Sequence, residues 1–295
     1  MTTAAPAQPL TPPRHAWYTE PERVTVRGTD VAYRRKGAGE PVLFLHGHWL
    51  TGVWSPFHRA LAARCDLLAP ELPGFGDSPG AAHLTTRPDM VLALRDLLDA
   101  LGLDSVHVAG YGLGAWVGAD LAIWAPGRVR SLAVVAPFGL RVPGAPVADV
   151  FAMDPARYTD EYYNGSAEGF EDLVPGVGTP AQGGPEGFAH RYGELGAAAA
   201  MIWTRRYDLK LEERLPLLGL PALVVGGGAD SVVPPAHLDA WAGLLGGPVH
   251  RLDGAGHALL LQQPDAVAGA LADHVTNPAT HTTATGTPTT REIAR

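Results

Sequence analysis

Short apolar runs alternate along most of the chain with segments that carry apolar residues at helical spacing. The run Val42–His46 is typical of a buried parallel strand, whereas residues 87–101 have a helical pattern that stops at Gly102. The same patterns predict strands at Val24–Val26, Val31–Arg35, 65–70, Val106–Gly110, Val129–Ala136, Ala222–Gly226 and His250–Leu252, and helices at Leu113–Trp124, 235–245 and 264–274. Because strands and helices alternate, we expect an α/β fold with a mainly parallel central sheet flanked by helices.

The alternation breaks between residues 138 and 216, where the sequence is rich in loops and aromatic residues and has a helical piece at 186–207. We interpret 138–216 as an inserted, largely helical cap over the strand ends, where such sheets bind ligands. The core is then 21–137 together with 217–274. Five aromatic residues of the cap are candidates for an apolar pocket: Tyr158, Tyr162, Tyr163, Trp203 and Tyr207.

The two ends of the chain lack this pattern. Residues 1–20 are proline-rich and predict a flexible arm, and residues 275–295 are polar and threonine-rich and predict a disordered tail.

Composition narrows the class of protein. The chain has 295 residues, 46% of them hydrophobic, and a formal net charge of −8. A negative charge without a basic run argues against nucleic-acid binding. The single cysteine, Cys65, excludes an intramolecular disulfide or a cysteine-rich zinc site. Since we find neither a secretory signal nor a long apolar span, we expect no membrane partner and, by default, a cytoplasmic protein.

Four polar or glycine-rich segments follow predicted strands in a fixed order. They are His46-Gly47-His48-Trp49, Gly110-Tyr111-Gly112-Leu113-Gly114, the loop 228–234 with Asp230, and Gly254-Ala255-Gly256-His257. Together with the loop Leu72–Ser78, this order resembles the α/β-hydrolase-fold superfamily from about residue 22 to 274. The resemblance implies a nucleophile, an acid and a histidine in that chain order, with the nucleophile on a tight strand-to-helix turn.

The sequence departs from the family pattern at the nucleophile. The turn should read G-x-S-x-G, but position 112 is glycine, which has no hydroxyl, thiol or carboxylate. The chain has only six serines, and none of them lies in the turn directly after the fifth predicted strand. A covalent acyl-enzyme route is therefore disfavoured.

The resemblance implies that Asp230 and His257 form the acid–base pair, with Asp230 fixing the imidazole tautomer. Either a water or the substrate itself then presents its proton to His257. The backbone N–H of Leu113, with that of His48 or Trp49, would hold an oxyanion, and Tyr111 flanks the site. We expect no cofactor and no metal.

These residues favour an enzyme that acts on a small carbonyl-type substrate, such as a secondary metabolite. It would work by elimination, cyclisation, isomerisation, C–C cleavage or direct attack of water. Two alternatives stay open. One is an ester or C–C bond hydrolase inactivated by replacement of its elbow serine with Gly112. The other is a non-catalytic protein that binds a ligand in the cap. The oligomeric state is not predicted.

Overall fold

The computed structural model describes residues 16–174, 184–203 and 206–278. In these ranges eight strands form one sheet in the order β1-β2-β4-β3-β5-β6-β7-β8. The strands are β1 (Glu22–Val26), β2 (Thr29–Gly37), β3 (Pro41–Leu45), β4 (Asp66–Pro70), β5 (Val106–Tyr111), β6 (Val129–Val135), β7 (Ala222–Gly227) and β8 (Val249–Leu252).

The predicted mainly parallel sheet is confirmed. Only β2 runs antiparallel to its neighbours, β1 and β4, and all remaining pairs of the described sheet are parallel. Every residue of β5 and β7 is buried, as their apolar sequences predict. The parallel strands therefore end at one edge of the sheet, and the loops that follow them meet there.

Helices follow the strands at nearly the predicted positions. They are α1 (Pro56–Ala62), α2 (Arg87–Ala100), α3 (Leu113–Trp124), α4 (Pro155–Tyr163), α5 (Gly184–Ile202), α6 (Leu211–Arg214), α7 (Ala236–Leu245), α8 (Leu259–Gln262) and α9 (Pro264–Thr276). The helix α3 packs on β5 and β6, and α9 packs on β7 and on α1. These contacts bury the apolar faces of the helices against the sheet.

The described part of the predicted cap contains α4, α5 and α6, between β6 and β7. Residues 175–183 and 204–205 lie outside the described residues. The helical piece predicted at 186–207 is wrong at its end, because α5 stops at Ile202 and Tyr207 instead bridges to Gly139. The carbonyl of Tyr162 accepts a hydrogen bond of 2.7 Å from the N–H of Ala258, which ties α4 to the loop that carries His257.

Both predicted chain ends need correction. Residues 16–20 are not a free arm: the N–H of Trp54 donates to the carbonyl of Trp17 at 2.7 Å, and Tyr18 forms a β-bridge with Val53. At the other end α9 continues to Thr276, so the predicted tail begins too early. Residues 1–15 and 279–295 of the predicted arm and tail lie outside the described residues.

Candidate active site

The acid and the histidine meet at the carboxyl edge of the sheet. His257 Nδ1 lies 2.8 Å from Asp230 Oδ2, and both side chains are buried. The other oxygen, Asp230 Oδ1, accepts hydrogen bonds from the backbone N–H groups of Val232 and Val233 at 2.9 and 2.8 Å. Because a carboxylate only accepts hydrogen bonds, Nδ1 carries the imidazole proton and Nε2 presents a lone pair.

The turn after β5 keeps a strained conformation at Gly112, with φ 55° and ψ −114°. A φ in this range favours glycine. The N–H of Gly112 donates to the carbonyl of Val135 at 2.9 Å, and its carbonyl accepts from the N–H of Phe138 at 3.2 Å. The turn is therefore held by backbone bonds to the neighbouring strand, whatever side chain position 112 carries.

The three glycines of this turn are glycine for different reasons. A Cβ on Gly110 would lie 2.4 Å from the carbonyl oxygen of Gly114, and a Cβ on Gly114 would lie 2.3 Å from that of His46. A Cβ on Gly112 would lie 3.8 Å from His257 Nε2 and 3.9 Å from the Cα of Gly47, which is ordinary contact. Packing thus forbids side chains at 110 and 114, while at 112 there is room for one next to the imidazole.

His257 Nε2 is buried and has no hydrogen-bond partner among the described residues. An unsatisfied buried nitrogen of this kind costs about 1–3 kcal/mol. The nitrogen faces the position of the missing side chain at Gly112, so a small polar group placed there would satisfy it.

The loop after β3 forms another wall of the site. The N–H of Leu72 donates to His46 Nε2 at 3.0 Å, and burial lowers the pKa of His46 to about 4, so His46 is a neutral brace. Leu50 in this loop has φ 64°, and Ala136 in the turn after β6 has φ 43°. Positive φ values in non-glycine residues are strained, and here they flank the segments that carry Trp49 and Phe138.

Aromatic rings enclose the imidazole of His257. Phe138 stacks on it with ring centroids 5.9 Å apart, and the ring of Tyr162 stands nearly perpendicular to it at 5.0 Å. Tyr111 lies 5.1 Å away, and its hydroxyl donates to the carbonyl of His257 at 2.8 Å. The indole N–H of Trp49 in turn donates to the Tyr111 hydroxyl at 3.3 Å. The histidine is therefore fixed on several sides.

His48 joins the same cluster of rings. It stacks on Phe138 at 5.8 Å, and its Nε2 lies 2.5 Å from the hydroxyl of Tyr162. Burial and the nearby His257 lower the pKa of His48 to about 3, and burial raises the pKa of Tyr162 well above its usual value. Both groups are therefore neutral near pH 7.

The structure thus brings His257, Asp230, Gly112, Leu113, His48, Trp49, Tyr111 and Tyr162 into one cluster. Two further candidates support this cluster from behind. Tyr158 packs on Tyr162 and donates its hydroxyl to the carbonyl of Val150 at 2.6 Å, and Tyr163 donates to that of Leu173 at 3.1 Å.

Two of the cap candidates, Trp203 and Tyr207, do not join this cluster. Trp203 directly follows α5, is 64% exposed and packs on Phe151. Tyr207 bridges to Gly139. Both line a separate cleft of about 540 Å³, away from His257.

Sequence reasoning missed Phe138, whose ring stacks on both His48 and His257. Its position just after β6, at the edge where strand-end loops meet, was the available signal.

Two broader properties bear on chemistry. Among the described residues, no three histidine, cysteine or acidic side chains lie close enough together to hold a metal ion. None of the helices in the described ranges is both long and apolar enough to cross a bilayer.

Comparison with known proteins identifies the family and several relatives of this chain. The model of the alpha/beta hydrolase family matches residues 42–270. The dihydrolipoyllysine-residue acetyltransferase component of the acetoin cleaving system of Cupriavidus necator is 31% identical over 237 residues. That match covers 73% of this chain but only 59% of the relative. Epoxide hydrolase A of Mycobacterium tuberculosis is 28% identical, with 81% of this chain and 92% of the relative covered.

Solved structures show the same fold. A serine-to-alanine mutant of the meta-cleavage product hydrolase from Pseudomonas fluorescens, complexed with acetates, superposes with a TM-score of 0.73 at 19% identity. The superposition covers 88% of this chain and 98% of that one.

Proposed function

The chain belongs to the alpha/beta hydrolase family, and from that premise we propose that it is an enzyme in which His257 acts as a general base without a covalent nucleophile. The observation that carries the proposal is that His257 Nε2 has no hydrogen-bond partner in the described part of the chain and lies 3.8 Å from where a Cβ at position 112 would be. A hydroxyl nucleophile would sit there in a family member with serine. In this chain a water or a substrate group takes its place.

Asp230 has a defined part in this scheme. Its carboxylate holds the proton of His257 on Nδ1 and stabilises the imidazolium that forms when Nε2 takes up a proton. The two backbone N–H groups on Asp230 Oδ1 keep the carboxylate oriented. This support gives the base a fixed direction toward position 112.

Developing negative charge would be held by backbone donors. The N–H of Leu113 is the first of helix α3, so it has no partner within the helix. With the N–H of His48 or Trp49 it would receive an oxyanion, and it lies where the helix dipole favours negative charge.

We infer that the substrate is a small carbonyl compound with a proton that His257 can remove. The proton moves from substrate carbon to His257 Nε2, and the electron pair of the broken C–H bond becomes an enolate. The enolate then expels a leaving group that the imidazolium protonates, or its carbon adds to a second carbonyl of the substrate and the imidazolium protonates the new alkoxide, or the imidazolium reprotonates it at another carbon. The substrate decides whether elimination, cyclisation or isomerisation occurs, and His257 removes the proton in the same way in each case.

Hydrolysis by a water that His257 activates is the second candidate. Among the relatives, epoxide hydrolase A is named for hydrolysis, and in this chain a Cβ at position 112 would have only ordinary contacts beside His257 Nε2. In this route water gives one proton to Nε2, its oxygen attacks the substrate carbonyl, and the imidazolium protonates the leaving group.

The experiment follows proton removal directly and needs no knowledge of the natural substrate. Acetophenone and cyclohexanone are incubated with the full chain in deuterium oxide, and exchange of their α-protons is followed by NMR. We expect catalysed exchange that falls about 10²–10⁴-fold in His257→Gln. The exposed His250 provides the matched control, and His250→Gln should exchange at the parent rate.

The alternatives give other results. A non-catalytic binding protein would show no His257-dependent exchange with either ketone, which would contradict the proposal. Hydrolysis of p-nitrophenyl acetate that depends on His257 and has no burst would favour the water route over proton removal from carbon.

A further inference from the structure

Two imidazoles of the site, and not one, have an unpartnered nitrogen. His48 Nδ1 and His257 Nε2 are both buried and have no hydrogen-bond partner among the described residues. Both rings stack on Phe138, with interplanar angles of 24° and 19°. The role proposed above uses only His257, so the side chain of His48 needs an explanation of its own.

The bond between Tyr162 and His48 couples the direction of the Tyr162 hydroxyl to the nitrogen of His48 that carries the proton. The Tyr162 hydroxyl lies 2.5 Å from His48 Nε2. Burial raises the pKa of Tyr162 and lowers that of His48 to about 3, so a neutral phenol faces a neutral imidazole. A phenol O–H that donates to Nε2 makes Nε2 the acceptor, and the one imidazole proton then lies on Nδ1.

The two histidines thereby acquire opposite roles. His257 Nδ1 donates to Asp230, so its Nε2 is a lone pair that can take up a proton. When the Tyr162 hydroxyl donates to His48 Nε2, the Nδ1–H of His48 can give a hydrogen bond. With the bond in this direction, Asp230 and Tyr162 set one base and one donor, and both imidazoles stack on the ring of Phe138.

The surroundings also limit the charge of the molecule that binds. The rings and hydrogen bonds around the two imidazoles come from Tyr111, Phe138, Tyr162 and Asp230. Of these only Asp230 carries a charge, and it is negative. An anionic substrate would be repelled in this buried environment, whereas an uncharged carbonyl compound would not.

We propose that the side chain of His48 is a second catalytic group, whose Nδ1–H hydrogen-bonds to the carbonyl oxygen of an uncharged substrate while His257 removes a proton from the adjacent carbon. Tyr162 is a positioning residue that keeps His48 in the donor tautomer. This inference rests on the proposed function. In the step, the C–H proton goes to His257 Nε2, and the electron pair forms an enolate whose oxygen accepts from His48 Nδ1–H.

The tautomer can be measured without any activity. The full chain is labelled with ¹⁵N-histidine, and two-bond ¹H–¹⁵N correlations identify the protonated nitrogen of each ring. His48 is assigned by the loss of its signals in His48→Gln or, where that variant does not fold, through Overhauser contacts to the ring of Tyr162. We expect a neutral Nδ1–H form that does not titrate between about pH 5 and 8.

Variants of α4 separate positioning from packing. Tyr162→Phe keeps the ring and removes the hydroxyl, and we expect the His48 proton to redistribute to Nε2. Tyr158→Phe is the matched control, because it removes another buried hydroxyl from α4, one that bonds to Val150. It should leave the tautomer of His48 unchanged.

Exchange of acetophenone α-protons supplies the second readout. We expect kcat to fall about 10²–10³-fold in His48→Gln, with a smaller change in KM, as for the loss of one oxyanion donor. An Nε2–H tautomer in the parent chain, or a tautomer unaffected by Tyr162→Phe, would overturn the inference while leaving the role of His257 intact. Absence of His257-dependent exchange would overturn the proposed function, and the tautomer measurement would still decide whether His48 is a fixed donor.

Discussion

The turn after β5 and the loops that follow β7 and β8 meet at the carboxyl edge of the sheet. The loops bring two polar side chains to this edge, whereas the central residue of the turn is a glycine. In the loops, Asp230 is bonded to His257 Nδ1 through one oxygen and to two backbone N–H groups through the other. In the turn, Gly112 has a strained backbone conformation and no side chain. The turn is therefore too crowded for a side chain at Gly110 and Gly114, whereas a Cβ at position 112 would have ordinary contact distances.

The largest effect is expected where the turn is most crowded. Gly110→Ala and Gly114→Ala place a Cβ within 2.4 Å of a carbonyl oxygen. We therefore expect the free energy of unfolding to fall by roughly 4 kcal/mol or more, or the variants not to fold. Gly112→Ala meets no such clash and should cost about 1–3 kcal/mol through its backbone strain alone. Urea unfolding of the three variants measures this. Equal losses of unfolding free energy at the three positions would show that position 112 is as crowded as positions 110 and 114.

A second prediction concerns the bond between Asp230 and His257. Asp230→Asn keeps the shape of the side chain but weakens its hold on the Nδ1 proton of His257. We expect the exchange of ketone α-protons to slow by about 10²–10⁴-fold. Asp239→Asn removes an exposed carboxylate of α7 that pairs with Arg251, and it serves as the control. Equal exchange rates in the two variants would show that Asp230 is only a turn residue.

The sequence predicted the sheet and the strand-end motifs well, because apolar runs and glycine turns are local signals. The pairing of Asp230 with His257 was implied by the resemblance to the α/β-hydrolase-fold superfamily. The stacking of Phe138 on two histidines, and the bond from Tyr162 to His48, join residues far apart in sequence and have no local pattern. The exposure of Trp203 could not be predicted either, because the helical pattern did not show that α5 ends at Ile202.

A third and smaller effect is expected from acid. Burial lowers the pKa of His58 to about 3, and that of His48 likewise, against 6.5 for an unperturbed imidazole. Between these values the unfolded chain binds a proton that the folded chain does not. The stability that each neutral ring contributes is therefore fully present above pH 6.5 and is lost as the pH falls toward 3.

For His58, which lies on α1 outside the site, this amounts to about 2 kcal/mol between about pH 6.5 and 5. Urea unfolding across this range should show a shallower pH dependence for His58→Gln than for the parent chain. His250→Gln, at an exposed position, should keep the parent slope. If His58→Gln kept that slope too, the buried neutral state of His58 would be wrong.

The most direct test of the central claim is to supply the missing side chain. Gly112→Ser places a hydroxyl beside His257 Nε2, where a Cβ already has ordinary contact distances. With p-nitrophenyl acetate we predict a burst of p-nitrophenol and a mass increase of one acetyl group at position 112, both abolished by adding His257→Gln. The parent chain should show neither. A folded Gly112→Ser variant that forms no acyl-enzyme would contradict the claim that the base and the oxyanion donors are intact and that only the nucleophile is missing.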